Sequence, residues 1–313
     1  MMTEDTSPPT STPPPHVPKR ATISVRHVVL VLSGKGGVGK TTVATNLAVA
    51  LSNHGFRTGL LDLDIHGPDI PKMLGIEERR MASSGQKQME PVSVSDLLAV
   101  VSMAFLLSET SSPVIWRGPM KAGVIRQFLE DVNWGKLDYL VVDLPPGTGD
   151  EALTIAQSAP NIAGAVIVTT PQDVAILDIR KAVRFVQEMG LPVIGIIENM
   201  SGMACPHCGK EIDLFGKGGG ERAAEEMGVP FLGAIPLDPA MRKAGDEGRP
   251  FVNRSPEEMR DDPTWKQVNA VMENLVEVIE DGGAGRPENE SENESENESE
   301  NEPEETPPSS AAK

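Results

Sequence analysis

The stretch HVVLVLSGKGGVGKTTVATNLAVALSNHG, residues 27–55, decides the fold. Val28 to Leu32 is a short apolar run of the type buried in a sheet. TTVATNLAVALSNHG, from Thr41, predicts a helix that ends at Gly55. Between them GKGGVGKT, Gly34 to Thr41, fits G-x-x-x-x-G-K-[ST], after a strand and opening a helix, the context this motif requires. The chemistry explains the composition. Phosphate oxygens must be met at close range by backbone N–H groups. Gly34, Gly36, Gly37 and Gly39 permit the approach and the positive φ that side chains would obstruct. The helix start adds the positive end of its dipole. Lys40 is expected to reach the β- and γ-phosphates of ATP, and the Thr41 hydroxyl to ligate Mg²⁺. Val38 and Thr42 complete the expected nucleotide-binding set.

Further β-branched runs follow outward from this unit: RTGLLDLD, DYLVVDLPPG, GAVIVTTP and PVIGIIENM, with helical stretches between them. Strands alternating with helices predict an α/β fold, a mostly parallel twisted sheet with helices on both faces. Ligands of such sheets bind at the carboxyl ends of the strands, and every motif named here falls at such an end. Asp62 and Asp64 close one strand and Asp143 another. A carboxylate after four or five apolar strand residues points into the nucleotide crevice, so Asp143 is expected to hold Mg²⁺ through water. Helix capping is the other reading of these aspartates. Gly147, after the rigid Pro145–Pro146 pair, offers a backbone N–H to a γ-phosphate. In the second half, the Asn199 amide both donates and accepts, which suits an adenine edge. Pro236 and Asp238 lie in IPLDP, a rigid turn after another short strand.

The formal net charge is −18. Ten of the glutamates lie between Glu288 and Glu305, where Ser-Glu-Asn-Glu repeats three times. That segment has no apolar residue to bury, and it is expected to be disordered. The expected organisation is a Pro/Ser/Thr-rich segment 1–26, one globular unit 27–281, and an acidic tail 282–313. The acidic balance argues against nucleic acid or an anionic membrane as the main partner. No run of 18 apolar residues is present, so no transmembrane helix is expected. Cys205 and Cys208 are the two cysteines, spaced C-x-x-C in MACPHCGK. This usage suits a reducing cytoplasm, where the motif marks metal or thiol chemistry. Two thiolates are half of a four-ligand site. Zinc, an iron–sulfur cluster and a redox pair all remain open on ligands alone. His207, between the cysteines, is either a third ligand or a solvent-facing turn residue.

Lys35, directly after the first glycine of the loop, is not required by the ordinary motif. With it, the chain resembles the deviant-Walker-A ATPases: the ParA and MinD partition proteins, the nitrogenase iron protein and the Mrp/ApbC iron–sulfur carriers. Within that group it resembles the Mrp/ApbC carriers from about Val28 to Phe251, through DLDIHGPDIPKMLG, WRGPM, LDYLVVDLPPGTGDEALT, IIENMSGMACPHCGK, DLFGKGGGERAAEEMGVPFLGAIPLDP and GDEGRP in order. The resemblance implies a homodimer in which Lys35 reaches the partner's nucleotide. It implies that Asp64 orients the attacking water, that Asp62 lies near the magnesium shell, and that the Asn199 and Pro236–Asp238 loops flank adenine. It implies slow ATP hydrolysis, a [4Fe–4S] cluster shared by Cys205 and Cys208 of two chains, and apo iron–sulfur proteins as recipients. A ParA/MinD-like switch with a structural zinc site is the alternative.

Overall fold

Strand β1 (Ser24–Leu32) lies in the middle of the sheet and sorts its side chains by alternation. Val29 and Val31 enter one core, and Val28, Leu30 and Leu32 enter the other. A strand buried on both faces must be apolar at every position, which is why VVLVL carries no polar residue.

The computed structural model describes residues 20–65, 67–83, 88–106, 118–205, 207–253, 259 and 261–281. The proline-rich start up to residue 19, the glutamate repeat, Trp116, Arg117, His66 and Pro206 lie outside them. The remaining strands are β2 (Thr58–Asp62), β3 (Ala82–Ser83), β4 (Met89–Glu90), β5 (Val92–Ser93), β6 (Leu98–Ser102), β7 (Lys136–Asp143), β8 (Ile162–Thr169), β9 (Val193–Asn199), β10 (Met203–Ala204), β11 (Glu211–Ile212) and β12 (Phe231–Ile235). The helices are α1 (Lys40–Asn53), α2 (Ile70–Met73), α3 (Gly118–Glu130), α4 (Asp150–Ser158), α5 (Asp173–Glu188), α6 (Gly219–Met227), α7 (Pro239–Asp246) and α8 (Pro263–Glu280).

Eight strands form one sheet in the order β12-β9-β8-β1-β7-β2-β6-β5. All its pairings are parallel except β5 with β6. The chain leaves β1 toward β2 on one side and later places β8 on the other, so the order reverses at β1. This is the switch point where such sheets bind ligands. Helix α1 is buried almost all round, which its small residues Ala44, Thr45, Ala48, Ala50 and Ser52 allow. Side chains from α1 and α8 fill the core on one face, and those of α3, α4, α5 and α6 fill the other.

The folded unit begins before residue 27, the expected boundary. Strand β1 starts at Ser24, and Ala21 is buried with its N–H on the Ser158 carbonyl at 2.7 Å. Composition hides this because ATISV continues from a proline-rich segment without a break. At the other end α8 stops at Glu280, with Asp281 as its C-cap.

Candidate functional site

The loop after β1 folds as its glycines require. Gly37 and Gly39 have φ of 78° and 79°. At Gly39 a Cβ would also lie 2.2 Å from the Asn199 amide nitrogen, so both conformation and space demand glycine. At Gly34 a Cβ would meet the Asp178 carbonyl of α5 at 2.6 Å. Gly36 has open space around it. The loop lines an open cleft of about 300 Å³ that includes Lys35, Lys40, Thr41, Thr42, Asp64 and Pro146.

Three charged groups meet under this cleft. Lys40 Nζ contacts Asp143 Oδ1 at 2.5 Å, with both side chains buried. Thr41 donates its hydroxyl to Asp143 Oδ2 at 2.8 Å. Asp62 is the register partner of Asp143 on the neighbouring strand and is fully buried. It accepts from Ser102 Oγ at 2.8 Å and from the Asp64 N–H at 3.1 Å. Burial, then the Asp143 carboxylate, pushes Asp62 well above the usual carboxylate range. Burial also raises Asp143, against the pull of Lys40. One ammonium therefore faces two carboxyls, of which Asp62 takes the proton first.

Neither Asp64 nor Asp143 caps a helix. The N-cap of α2 is Asp69, and that of α4 is Gly149. Asp64 Oδ1 instead accepts the Gly67 N–H at 3.3 Å at the rim of the cleft. Gly147, at φ 92°, donates its N–H to the Ser33 carbonyl at 2.9 Å, so a phosphate would have to take that N–H from Ser33. The Asn199 amide donates to the Val38 carbonyl at 2.9 Å, holding the loop. Asp238 has a structural role that the sequence did not show. Its carboxylate accepts the Ala240 N–H at 2.7 Å as the cap of α7, and the Thr264 hydroxyl at 2.8 Å. The IPLDP turn thus offers backbone and Pro236, not a free carboxylate, to any base.

The cysteines sit beyond β9 at the tip of the β10–β11 hairpin. Cys205 N donates to Lys210 O at 2.8 Å, and Gly209 N to Cys205 O at 2.9 Å, closing a tight turn. Backbone N–H groups of His207 and Cys208 aimed at the Cys205 sulfur, with the Cys208 side chain, hold its thiol below the usual range. Cys205 is half-buried, and Cys208 and His207 are exposed. Among the described residues no group of three or more His, Cys, Asp or Glu is placed to hold a metal ion. A cavity of about 390 Å³ runs from Cys205 to Pro236, Asp238 and Thr264. Sequence reasoning missed Glu198, fully buried beside Asn199, and Ser102, the partner of Asp62. The rule that found Asp143, a carboxylate closing an apolar strand, also picks out Glu198.

A phosphate loop at the switch point of a parallel sheet, with its lysine on a strand-end aspartate, defines a P-loop nucleoside triphosphatase. MinD cell division ATPase of Pyrococcus furiosus has this fold, with a TM-score of 0.58 over 81% of this chain and 99% of that one at 24% identity. A nucleotide-binding protein of Archaeoglobus fulgidus, solved with ADP, is 42% identical with a TM-score of 0.63, covering 72% of this chain and 87% of that one. The chain belongs to the ParA-type NUBPL iron-transfer P-loop NTPase family, whose sequence pattern matches residues 24–276. It is 50% identical over 256 residues to the iron-sulfur cluster carrier protein of Methanocaldococcus jannaschii, covering 82% of this chain and 86% of that one. It is 44% identical over 256 residues to the cytosolic Fe-S cluster assembly factor NUBP2 of Bos taurus, covering 80% and 93%.

Proposed function

We propose that this chain is an ATP-hydrolysing carrier that holds a [4Fe–4S] cluster between two copies of itself and passes it to apo-proteins in the cytoplasm. The observation that carries the reading is the cysteine pair. One chain presents two sulfurs on an exposed hairpin tip and no further ligand cluster among the described residues. A second copy related by two-fold symmetry completes four thiolates. A cluster held this way stays exposed, which suits cargo that must leave. The edge that bears the phosphate loop also bears exposed large apolar side chains: Leu153 on α4, Val174 and Leu177 early on α5, and Ile212 and Leu214 beside the cysteines. Exposed apolar side chains on this edge fit a face covered by a second copy.

The nucleotide chemistry follows from the buried charges. Asp143 neutralises Lys40. When phosphates enter, the Lys40 ammonium turns to them and leaves Asp143 and the Thr41 hydroxyl as hard oxygen donors, a set that fits Mg²⁺. Mg²⁺, when bound, neutralises charge on the phosphate oxygens. Asp64 at the cleft rim orients the attacking water. Lys35 lies in the cleft wall and adds its charge to the partner's nucleotide once the dimer is assembled, so hydrolysis depends on assembly.

Anaerobic reconstitution with iron and sulfide, followed by absorption spectroscopy, metal counting and sizing, tests the reading. About four irons per two chains is expected. About one zinc per two chains, no iron–sulfur absorption, and a dimer that needs the zinc would replace it with a ParA/MinD-like switch that carries a structural metal.

A further inference from the structure

Glu198 is a buried carboxylate that the nucleotide chemistry does not use. It is fully inaccessible, in a chain already strongly acidic. A buried charge is costly unless fully hydrogen-bonded. Its donors all come from one excursion of the chain. Oε1 accepts from Ser201 Oγ at 2.5 Å and from Gly218 N at 2.8 Å. Oε2 accepts from Gly220 N at 2.6 Å. Ser201 is where the chain departs from β9 toward the cysteines, and Gly218 is where it returns into α6. One carboxylate therefore clasps both feet of the loop that carries Cys205 and Cys208. The packing there is close: a Cβ on Gly220 would lie 3.1 Å from Glu198 Cβ.

The neighbouring residue grips the other site. Successive residues of a strand point to opposite faces. Glu198 faces the α6 side, and Asn199 faces α1 and donates to Val38 of the phosphate loop. Between this pair and Ser201 sits Met200, at φ 60°, a left-handed conformation that is unfavourable for a side chain of this kind. Met200 also lies beside the loop, its Cε 3.6 Å from where a Cβ on Gly39 would stand. Phosphate loop, Asn199, Met200, Glu198 and cysteine excursion thus form one continuous path with a strained joint in it.

From this geometry we infer that Glu198 is a positioning residue that transmits the nucleotide state of the phosphate loop to the Cys205–Cys208 turn. The inference rests on the cysteine turn being the cargo site. Nucleotide shifts the phosphate loop, the loop pulls on Asn199 and Met200, and Glu198 converts that pull into a change at both feet of the cysteine excursion.

The test uses the metal-free full chain and reads the cysteines directly. The rate of thiol modification by a chromogenic disulfide is measured with and without the Mg²⁺ complex of a non-hydrolysable ATP analogue. In the wild type the nucleotide should change that rate about fivefold or more, the low end of ordinary coupling between sites. Glu198→Gln keeps the shape but turns an acceptor into an amide donor facing the glycine N–H. It should bind nucleotide within about twofold of the wild type while the two thiol rates become equal. Ser201→Ala, which removes one donor and leaves the carboxylate on both glycines, should give an intermediate ratio and guards against misfolding of the first variant. A wild type whose rates ignore nucleotide, or variants that keep the wild-type ratio, would overturn the inference. Iron uptake is scored separately in the wild type, so failure of the cluster reading is distinguishable from failure of the linkage.

Discussion

Replacing Lys40 by Ala should do two separable things. It should abolish ATP hydrolysis, because the phosphates lose their nearest cation. It should also destabilise the nucleotide-free protein. Lys40 and Asp143 are 6% and 0% exposed and 2.5 Å apart, and Asp62, also 0% exposed, stands on the adjacent strand. Removing one partner of a buried pair strands the other charge, at about 3–5 kcal/mol. The loss should depend on pH, with a definite sign. Burial already places Asp143 above its ordinary value, and loss of Lys40 raises it further. The folded variant then holds more protons than the folded wild type, so its stability relative to wild type falls as pH rises from the wild-type folded value of Asp143 through the higher value of the variant. Urea unfolding of apo protein at about pH 5 and pH 8 should therefore give the larger deficit at the higher pH. The double variant Lys40→Ala/Asp143→Ala removes the stranded carboxylate and should recover at least about 1 kcal/mol over Lys40→Ala alone. A deficit independent of pH, or a double variant less stable than the single one, would refute this account of the buried charges.

Asp64→Ala should keep nucleotide binding within about threefold and lose hydrolysis, since the carboxylate lies at the cleft rim, where its Oδ1 accepts the Gly67 N–H; loss of binding at saturating magnesium would assign it to the metal instead. Cys205→Ser or Cys208→Ser should remove the reconstituted cluster while nucleotide binding persists, because two thiolates per dimer are too few; an iron–sulfur spectrum surviving either change would end the shared-site reading. Ile212→Asp with Leu214→Asp should shift sizing toward monomer and lower cluster yield at least about tenfold, with the thermal midpoint almost unchanged because both side chains are exposed. An unaltered dimer would move the contact face elsewhere.

What was legible in the sequence was whatever is local. The apolar run Val28–Leu32, the glycine spacing after it and the helix behind it are consecutive, and each constrains its neighbours through backbone conformation alone. The strand ends at Asp62, Asp143 and Asn199 were legible for the same reason: a polar residue that closes a run buried on both faces marks the carboxyl edge of the sheet, though not what its side chain meets there. Strand β6, five residues long at Leu98–Ser102, and the two-residue strands β3, β4, β5, β10 and β11 left too little period to see. Roles that depend on a distant partner were also hidden. Asp238 stands in a turn that suggests base recognition, yet Thr264 and the first turn of α7 occupy its oxygens.

The sequence by itself determined a phosphate loop on a parallel α/β sheet and a cysteine pair after the Asn199 strand. Only the tertiary structure decided that Lys40 rests on Asp143, that Asn199 holds Val38, and that Glu198 ties Ser201 to Gly218 and Gly220. Those partners lie up to 161 residues apart in the chain. Periodicity records which face a side chain takes, whereas the order in which the strands assemble determines what waits for it there.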